Sequence, residues 1–89
     1  MPNEKIPSLS AKEKLILEIL QYRPAGLYGL DIRRESNGKI GQGSLYVTLY
    51  NMEEKGLIES RPEDGEPAIT ETPRRIYRIN DLGRLALFV

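Results

Sequence analysis

The sequence predicts a mainly α-helical fold with a small antiparallel sheet of two or three strands, and three observations carry that prediction. Apolar residues recur at helical spacing in three successive segments between residues 11 and 55. Turn chemistry separates these segments: Arg23-Pro24-Ala25-Gly26 after the first, Ser36-Asn37-Gly38 after the second and Gly56 after the third. Two short extended runs, Leu57–Arg61 and Arg75–Ile79, then flank a proline-rich segment and read as a hairpin.

The first helix is expected from Ala11 to Gln21 or Tyr22. Ser10-Ala11-Lys12-Glu13 matches a capping box, in which the serine oxygen and the glutamate carboxylate satisfy backbone donors of the first turn. Leu15, Ile16, Ile19 and Leu20 line its apolar face with Leu17 beside them, and Lys12, Glu13, Lys14 and Glu18 are expected outside. The second helix is expected from Tyr28 to Ser36, with Leu27, Leu30 and Ile32 inward and Arg33, Arg34 and Glu35 outward. Lys39-Ile40 suits only a bridge strand or an extended link.

Gly41 to Ile58 is the segment the rest is arranged around. Leu45, Leu49 and Met52 fall on one stripe of a helix over residues 42–55 and should face the core. The opposite side carries Gly43, Val47, Tyr50, Asn51 and Glu54 with Tyr46 at the flank, and it is short of charge where a solvated helix would carry it. Gly56 suits a left-handed C′ position. In the second strand Tyr77 and Ile79 share one face, and Ile76 and Arg78 the other. Asn80 or Asp81 caps a last helix that starts at about residue 81 and runs on to residue 89. Residues 1–8 read as a flexible arm, and residues 62–73 as a long, mobile wing loop. Helix, helix, helix, strand, wing, strand and helix make a single winged helix-turn-helix domain over residues 1–89.

Composition excludes several functions. The 89 residues contain no cysteine and no histidine, which removes disulfides, thiolate metal sites, the usual general base and the commonest neutral metal ligand. No catalytic residue, metal or cofactor is therefore expected. An enzyme would need a carboxylate pair, and Glu63, Asp64 and Glu66 lie in a proline-broken loop ill suited to hold one rigid. There is no apolar run of about 18 residues, and MPNEKIPSLS lacks the layout of a secretion signal. The expectation is a soluble cytoplasmic protein without a membrane partner.

Three blocks resemble the PadR family of winged-helix transcriptional regulators. Gly43-Ser44-Leu45-Tyr46 with Leu49 and Gly56-Leu57-Ile58 is similar to the family's G-[ST]-L-Y-P-x-L…G-L-I signature. The stretch from Arg74-Arg75-Ile76-Tyr77 to Asp81-Leu82-Gly83-Arg84 resembles its R-R-x-Y-x-L-T-x-x-G-R segment, and Leu27-Tyr28-Gly29-Leu30-Asp31-Ile32 its second helix. Together they span most of residues 9–87 in the family's order. The resemblance implies a DNA-binding regulator, often a repressor, whose helix 42–55 enters the major groove while the Leu57–Ile79 hairpin reaches the backbone or minor groove. The chain departs from the family at Val47, where proline is usual, in its longer and more acidic wing loop, and in ending where the family's long dimerisation helix begins.

Charge is distributed unevenly although it sums to zero. Residues 62–73 hold four acidic side chains and no basic one, and residues 74–89 hold Arg74, Arg75, Arg78 and Arg84 against Asp81. The base of the wing is basic and its tip acidic. Candidate DNA-binding residues are Gln42, Gly43, Ser44, Tyr46, Val47, Tyr50 and Asn51 on the helix, with Lys39, Arg74 and Arg75 for the backbone and Lys14 as a further phosphate candidate. Two structural alternatives stand beside this: in one, Arg74, Arg75 and Arg78 serve only to blunt a strand edge; in the other, Tyr46 packs at the edge of the core and Tyr50 lies under a neighbouring subunit. The apolar end, with Leu85, Phe88 and Val89, is expected to contact a second copy in a homodimer. Double-stranded DNA, a second copy and an unidentified small-molecule effector are the expected partners. The alternative function is a winged-helix protein-interaction module that does not bind DNA.

Overall fold

The computed structural model describes residues 6–62 and 75–88. The expected wing loop from residue 63 onward, Arg74, Val89 and the first five residues of the arm lie outside the described residues. The elements are α1 (Ala11–Gln21), β1 (Leu27–Tyr28), α2 (Gly29–Glu35), α3 (Gln42–Glu54), β2 (Ile58–Pro62), β3 (Arg75–Ile79) and α4 (Asp81–Leu87). This is the winged helix-turn-helix arrangement expected from the sequence, with β3 at the centre of a three-stranded antiparallel sheet of order β1-β3-β2.

The predicted capping box forms at α1. Ser10 Oγ accepts from the Glu13 amide at 3.2 Å, and the Ser10 amide donates to Glu13 Oε1 at 3.0 Å. Ile16, Leu17 and Leu20 are fully buried, and Leu45, Leu49 and Met52 of α3 meet them from the other side, joined by Ile32, Ile40, Leu57, Ile58, Tyr77, Ile79 and Ala86. Gly56 takes φ +81°, and its amide and that of Leu57 close α3 on Glu53 and Met52. Asn80 is the cap of α4: its Oδ1 accepts from the Gly83 amide at 2.9 Å while its Nδ2 donates to the Gly56 carbonyl at 2.7 Å, tying α4 to the end of α3.

Three expectations are corrected. The third strand comes from Leu27 and Tyr28, which the sequence reading gave to the second helix, and not from Lys39-Ile40. Gly26, at φ +95°, packs so tightly on β3 that an added Cβ would lie 2.6 Å from Ile76 Cγ2, and this close approach sets Leu27 opposite Tyr77 and Tyr28 opposite Ile76. Helix α2 consequently starts at Gly29, and its inward stripe is Gly29, Ile32 and Ser36. Leu30, expected inward, is therefore rotated out and is 48% exposed. Glu13, expected outside, is buried. It receives Lys55 Nζ at 2.8 and 2.9 Å, so the capping carboxylate also binds the last residue of the α3 segment.

Candidate nucleic-acid interface

Helix α3 buries one stripe and presents the other. Gln42, Gly43, Tyr46, Val47, Tyr50 and Asn51 are exposed, with Val47 and Tyr50 each at 61% and Tyr46 at 47%. An apolar and tyrosine-bearing surface of this kind is unusual for a helix that faces only water. Its N-cap is Gly41, which has no side chain to bond the first-turn amides, and no acidic residue occupies that turn. Amides and the positive end of the dipole thus face outward there. Lys39 is exposed in the turn just before. Ser44 is half-buried and already engaged: Lys12 Nζ donates to its Oγ at 3.2 Å, and that hydroxyl in turn reaches the Gly41 carbonyl at 3.4 Å.

Arg75 opens β3 on the same side of the sheet as Tyr77 and Ile79, the side that faces the helices. Its guanidinium is held by Ser60, with Nε on Oγ at 3.0 Å and Nη2 on the carbonyl at 3.4 Å. Ser60 Oγ donates to Glu53 Oε2 at 2.6 Å. The base of the wing is thereby fastened to the last turn of α3 through three side chains. Glu53 is the anchor of this relay, and of the two glutamates in that turn only Glu54 is exposed.

The two groups of candidates meet in one cleft of about 540 Å³ lined by Tyr28, Gly29, Leu30, Asp31, Arg34, Tyr46, Arg75 and Tyr77. Gly29 allows the meeting, since a Cβ there would lie 2.8 Å from the Tyr46 ring and hydroxyl. Burial pushes the Tyr77 hydroxyl above its ordinary value, helped by the nearby Glu53 and Tyr46 and opposed by Arg75. Tyr77 therefore stays a protonated donor at neutral pH.

Of the other sequence candidates, Lys14 is not brought to this face. It lies two positions from Lys12, about 200° around the helix, and lines a groove with Ile6, Leu9 and Leu87 instead. Leu85 and Phe88 are exposed at the end of α4, Phe88 at 82%. Sequence reasoning missed Lys12, Glu13, Lys55 and Ser60 as the residues that fix α3. The pairs Glu13–Lys55 and Lys12–Ser44 are 42 and 32 residues apart, and no local pattern marks them.

Among the described residues no helix is long and apolar enough to cross a membrane. No curated protein sequence matches the chain. Among solved structures it is similar to the complex structure of hsRosR-S4, RosR being a protein of H. salinarum, with 27% identity over 96% of this chain and 70% of that one at a TM-score of 0.73. A PadR family transcription regulator from Clostridium difficile R20291 is 24% identical over 89% of this chain and 81% of its own at 0.73. The PcaV transcriptional regulator from Streptomyces coelicolor, solved with its natural ligand, shares the fold at 14% identity, over 97% of this chain and 56% of its own, at 0.74. The model of the PadR-like family of transcriptional regulators matches residues 16–88, and with nearly the whole fold inside that match, the chain belongs to this family.

Proposed function

We propose that the chain is a sequence-specific, cytoplasmic DNA-binding repressor that acts as a homodimer on double-stranded DNA. Helix 42–55 reads the major groove with Gln42, Gly43, Ser44, Tyr46, Val47, Tyr50 and Asn51, and Lys39, Arg74 and Arg75 grip the phosphate backbone. The observation that carries this reading is the shared cleft: Tyr46 of α3 and Arg75 of β3 line it together, and Arg75 is linked through Ser60 to Glu53 of the same helix. The reading helix and the wing base thus form one surface. Leu85, Phe88 and Val89 form the contact with the second copy, supported by the exposure of Leu85 and Phe88.

Mobility shifts at low salt with random and genomic duplexes test the reading. Replacing Arg74 and Arg75 together by alanine should weaken binding and reduce the salt slope by roughly 1.8, since each phosphate engaged contributes about 0.9. Unchanged affinity in the double variant would remove the wing base from the interface. A protein-interaction module is the second reading, favoured by the zero net charge. Absence of any retardation, even of random duplex at low salt, would establish it over the first.

A further inference from the structure

The exposed face of α3 is chemically one-sided. From Ser36 to Met52 the chain holds no carboxylate, and Lys39, in the turn before the helix, is the one charged residue. Such a surface complements a polyanion without carrying the charge that would bind one loosely. Gly43, Val47 and Asn51 follow one another four residues apart and form one row along the helix, flanked by Tyr46 and Tyr50. All of these are exposed. Val47 stands at the centre of the row, 61% exposed, and an added Cβ at Gly43 would meet nothing within 4 Å. The row spans about 12 Å of helix axis, roughly three to four base-pair steps of a duplex.

Base pairs present different groups in the major groove, and this face matches only some of them. Guanine is most often bound through O6 and N7 by a guanidinium or ammonium, and cytosine donates its amino group to a carboxylate. Neither kind of partner stands in the row. Helix α3 contains no lysine or arginine, Lys55 beyond it is bonded to Glu13, and Glu53 accepts from Ser60. Glu54 is exposed but lies in the last turn. The amides of Gln42 and Asn51 instead suit adenine N6 and N7, and the methyl groups of Val47 suit the 5-methyl group of thymine. Because valine is β-branched, one rotamer is strongly preferred in a helix, so those methyl groups are preset.

We propose that Val47 determines specificity by packing on the 5-methyl group of a thymine in the major groove, and that α3 thereby selects A·T pairs. Asn51, one turn further on, takes an adenine of a neighbouring pair through its amide. Gly43, one turn before, adds no side chain and lets the helix backbone approach the bases closely enough for the short valine to reach. The proposal rests on the DNA reading above and adds which bases the exposed face accepts.

Selection of duplexes from a randomised pool by the full chain, followed by mobility shifts on the selected site, tests this. The selected half-site should contain neighbouring A·T pairs. Each thymine is then replaced singly by deoxyuridine, which lacks the methyl group. At one position of the half-site this should weaken wild-type binding roughly four-fold, the worth of one buried methyl group. Val47→Ala should lose a similar factor on the thymine duplex and become indifferent to deoxyuridine at that position. Its thermal unfolding should match or exceed that of the wild type, because the side chain is exposed and alanine is the better helix former. Asn51→Ala should lower the preference for adenine at a neighbouring pair by at least roughly five-fold. Tolerance of deoxyuridine at every position, or an equal penalty in wild type and Val47→Ala, would overturn the role of Val47 and leave the DNA reading intact. A selected half-site of G·C pairs alone, or an Asn51→Ala protein with unchanged preference, would overturn the selection of A·T pairs. A chain that retards no duplex from the pool, even at low salt, sinks the DNA reading and this proposal together.

Discussion

Replacing Gly83 with alanine should destabilise the fold although alanine is the better helix former. Gly83 lies in the first turn of α4, buried, with an ordinary helical backbone. An added Cβ would land on the Leu57 carbonyl oxygen, 2.9 Å from Ile79 Cγ1 and 3.1 Å from Leu17 Cδ2. The side chains could yield, but the carbonyl cannot, because it is part of the turn that joins α3 to β2 and accepts the Asn80 amide at 3.3 Å. Overpacking against backbone costs about 3 kcal/mol at the upper end of its usual range, and disturbing the Asn80 bond costs about 1 kcal/mol more. The helix-propensity gain offsets only about 1 kcal/mol. The net loss of about 3 kcal/mol corresponds to a fall in Tm of roughly 12–24 °C for a domain of this size. Thermal unfolding followed by circular dichroism reads it directly. Gly43→Ala is the control: it is helical and exposed, and no atom lies within 4 Å of the added Cβ. That variant should gain up to about 1 kcal/mol. A Gly83→Ala protein as stable as the wild type would refute the packing account of the α4 junction.

Three further outcomes follow from the same geometry. Burial alone would raise the Glu13 carboxyl, but the Lys55 ammonium and Ser10 outweigh it and hold it below its ordinary value of 4.5; its contribution is therefore full above that value and lost as the pH falls through the lowered pKa. Glu13→Gln, which keeps a capping oxygen, should cost about 1 kcal/mol at neutral pH, and its urea midpoint should converge on that of the wild type as the pH falls through the lowered pKa; a gap that stays constant with pH would refute the ionic account. Ser60→Ala frees the Arg75 guanidinium without removing its charge, so DNA affinity should fall while the salt slope stays within about 0.9 of the wild type; an affinity equal to the wild type would show that the relay does not position Arg75. Phe88→Ser should shift the sedimentation coefficient toward a monomer, and a wild type that is itself monomeric at high concentration would exclude the α4 contact.

The helices were legible because their signals are local. Ser10 and Glu13 announce the start of α1, the Leu45-Leu49-Met52 stripe fixes the inward face of α3, and Gly56 marks its end. The two-residue strand β1 was not legible, since Leu27-Tyr28 has no period of its own and becomes a strand only because Gly26 lets the chain close on β3. That one displacement also explains Leu30, because starting α2 one residue later turns its apolar face. At the candidate site, the exposed face of α3 could be read from its missing charge. The cleft could not, as it is assembled from α2, α3 and β3 at once.

What orients the exposed face of α3 is distinct from what holds the helix in the protein. Leu45, Leu49 and Met52 form a single buried stripe that seats the helix and fixes which face is inward. The polar contacts lie off that stripe: Lys12 at Ser44 in the first turn, Ser60 at Glu53 in the last, and Glu13 at Lys55 just beyond. The Lys12 contact is exposed and the other two are part-buried, so each adds roughly 0–1 kcal/mol to stability, little beside the apolar core. Placed at both ends of the helix, they nonetheless tie it to α1 and to the base of the wing. Lys55 also neutralises the negative end of the helix dipole, and Glu53 spends its charge on Ser60. The geometry therefore separates two sets of residues. Changes on the stripe should lower stability first, whereas changes at the polar contacts should leave the fold nearly as stable and alter how Tyr46, Tyr50 and Arg75 meet a partner.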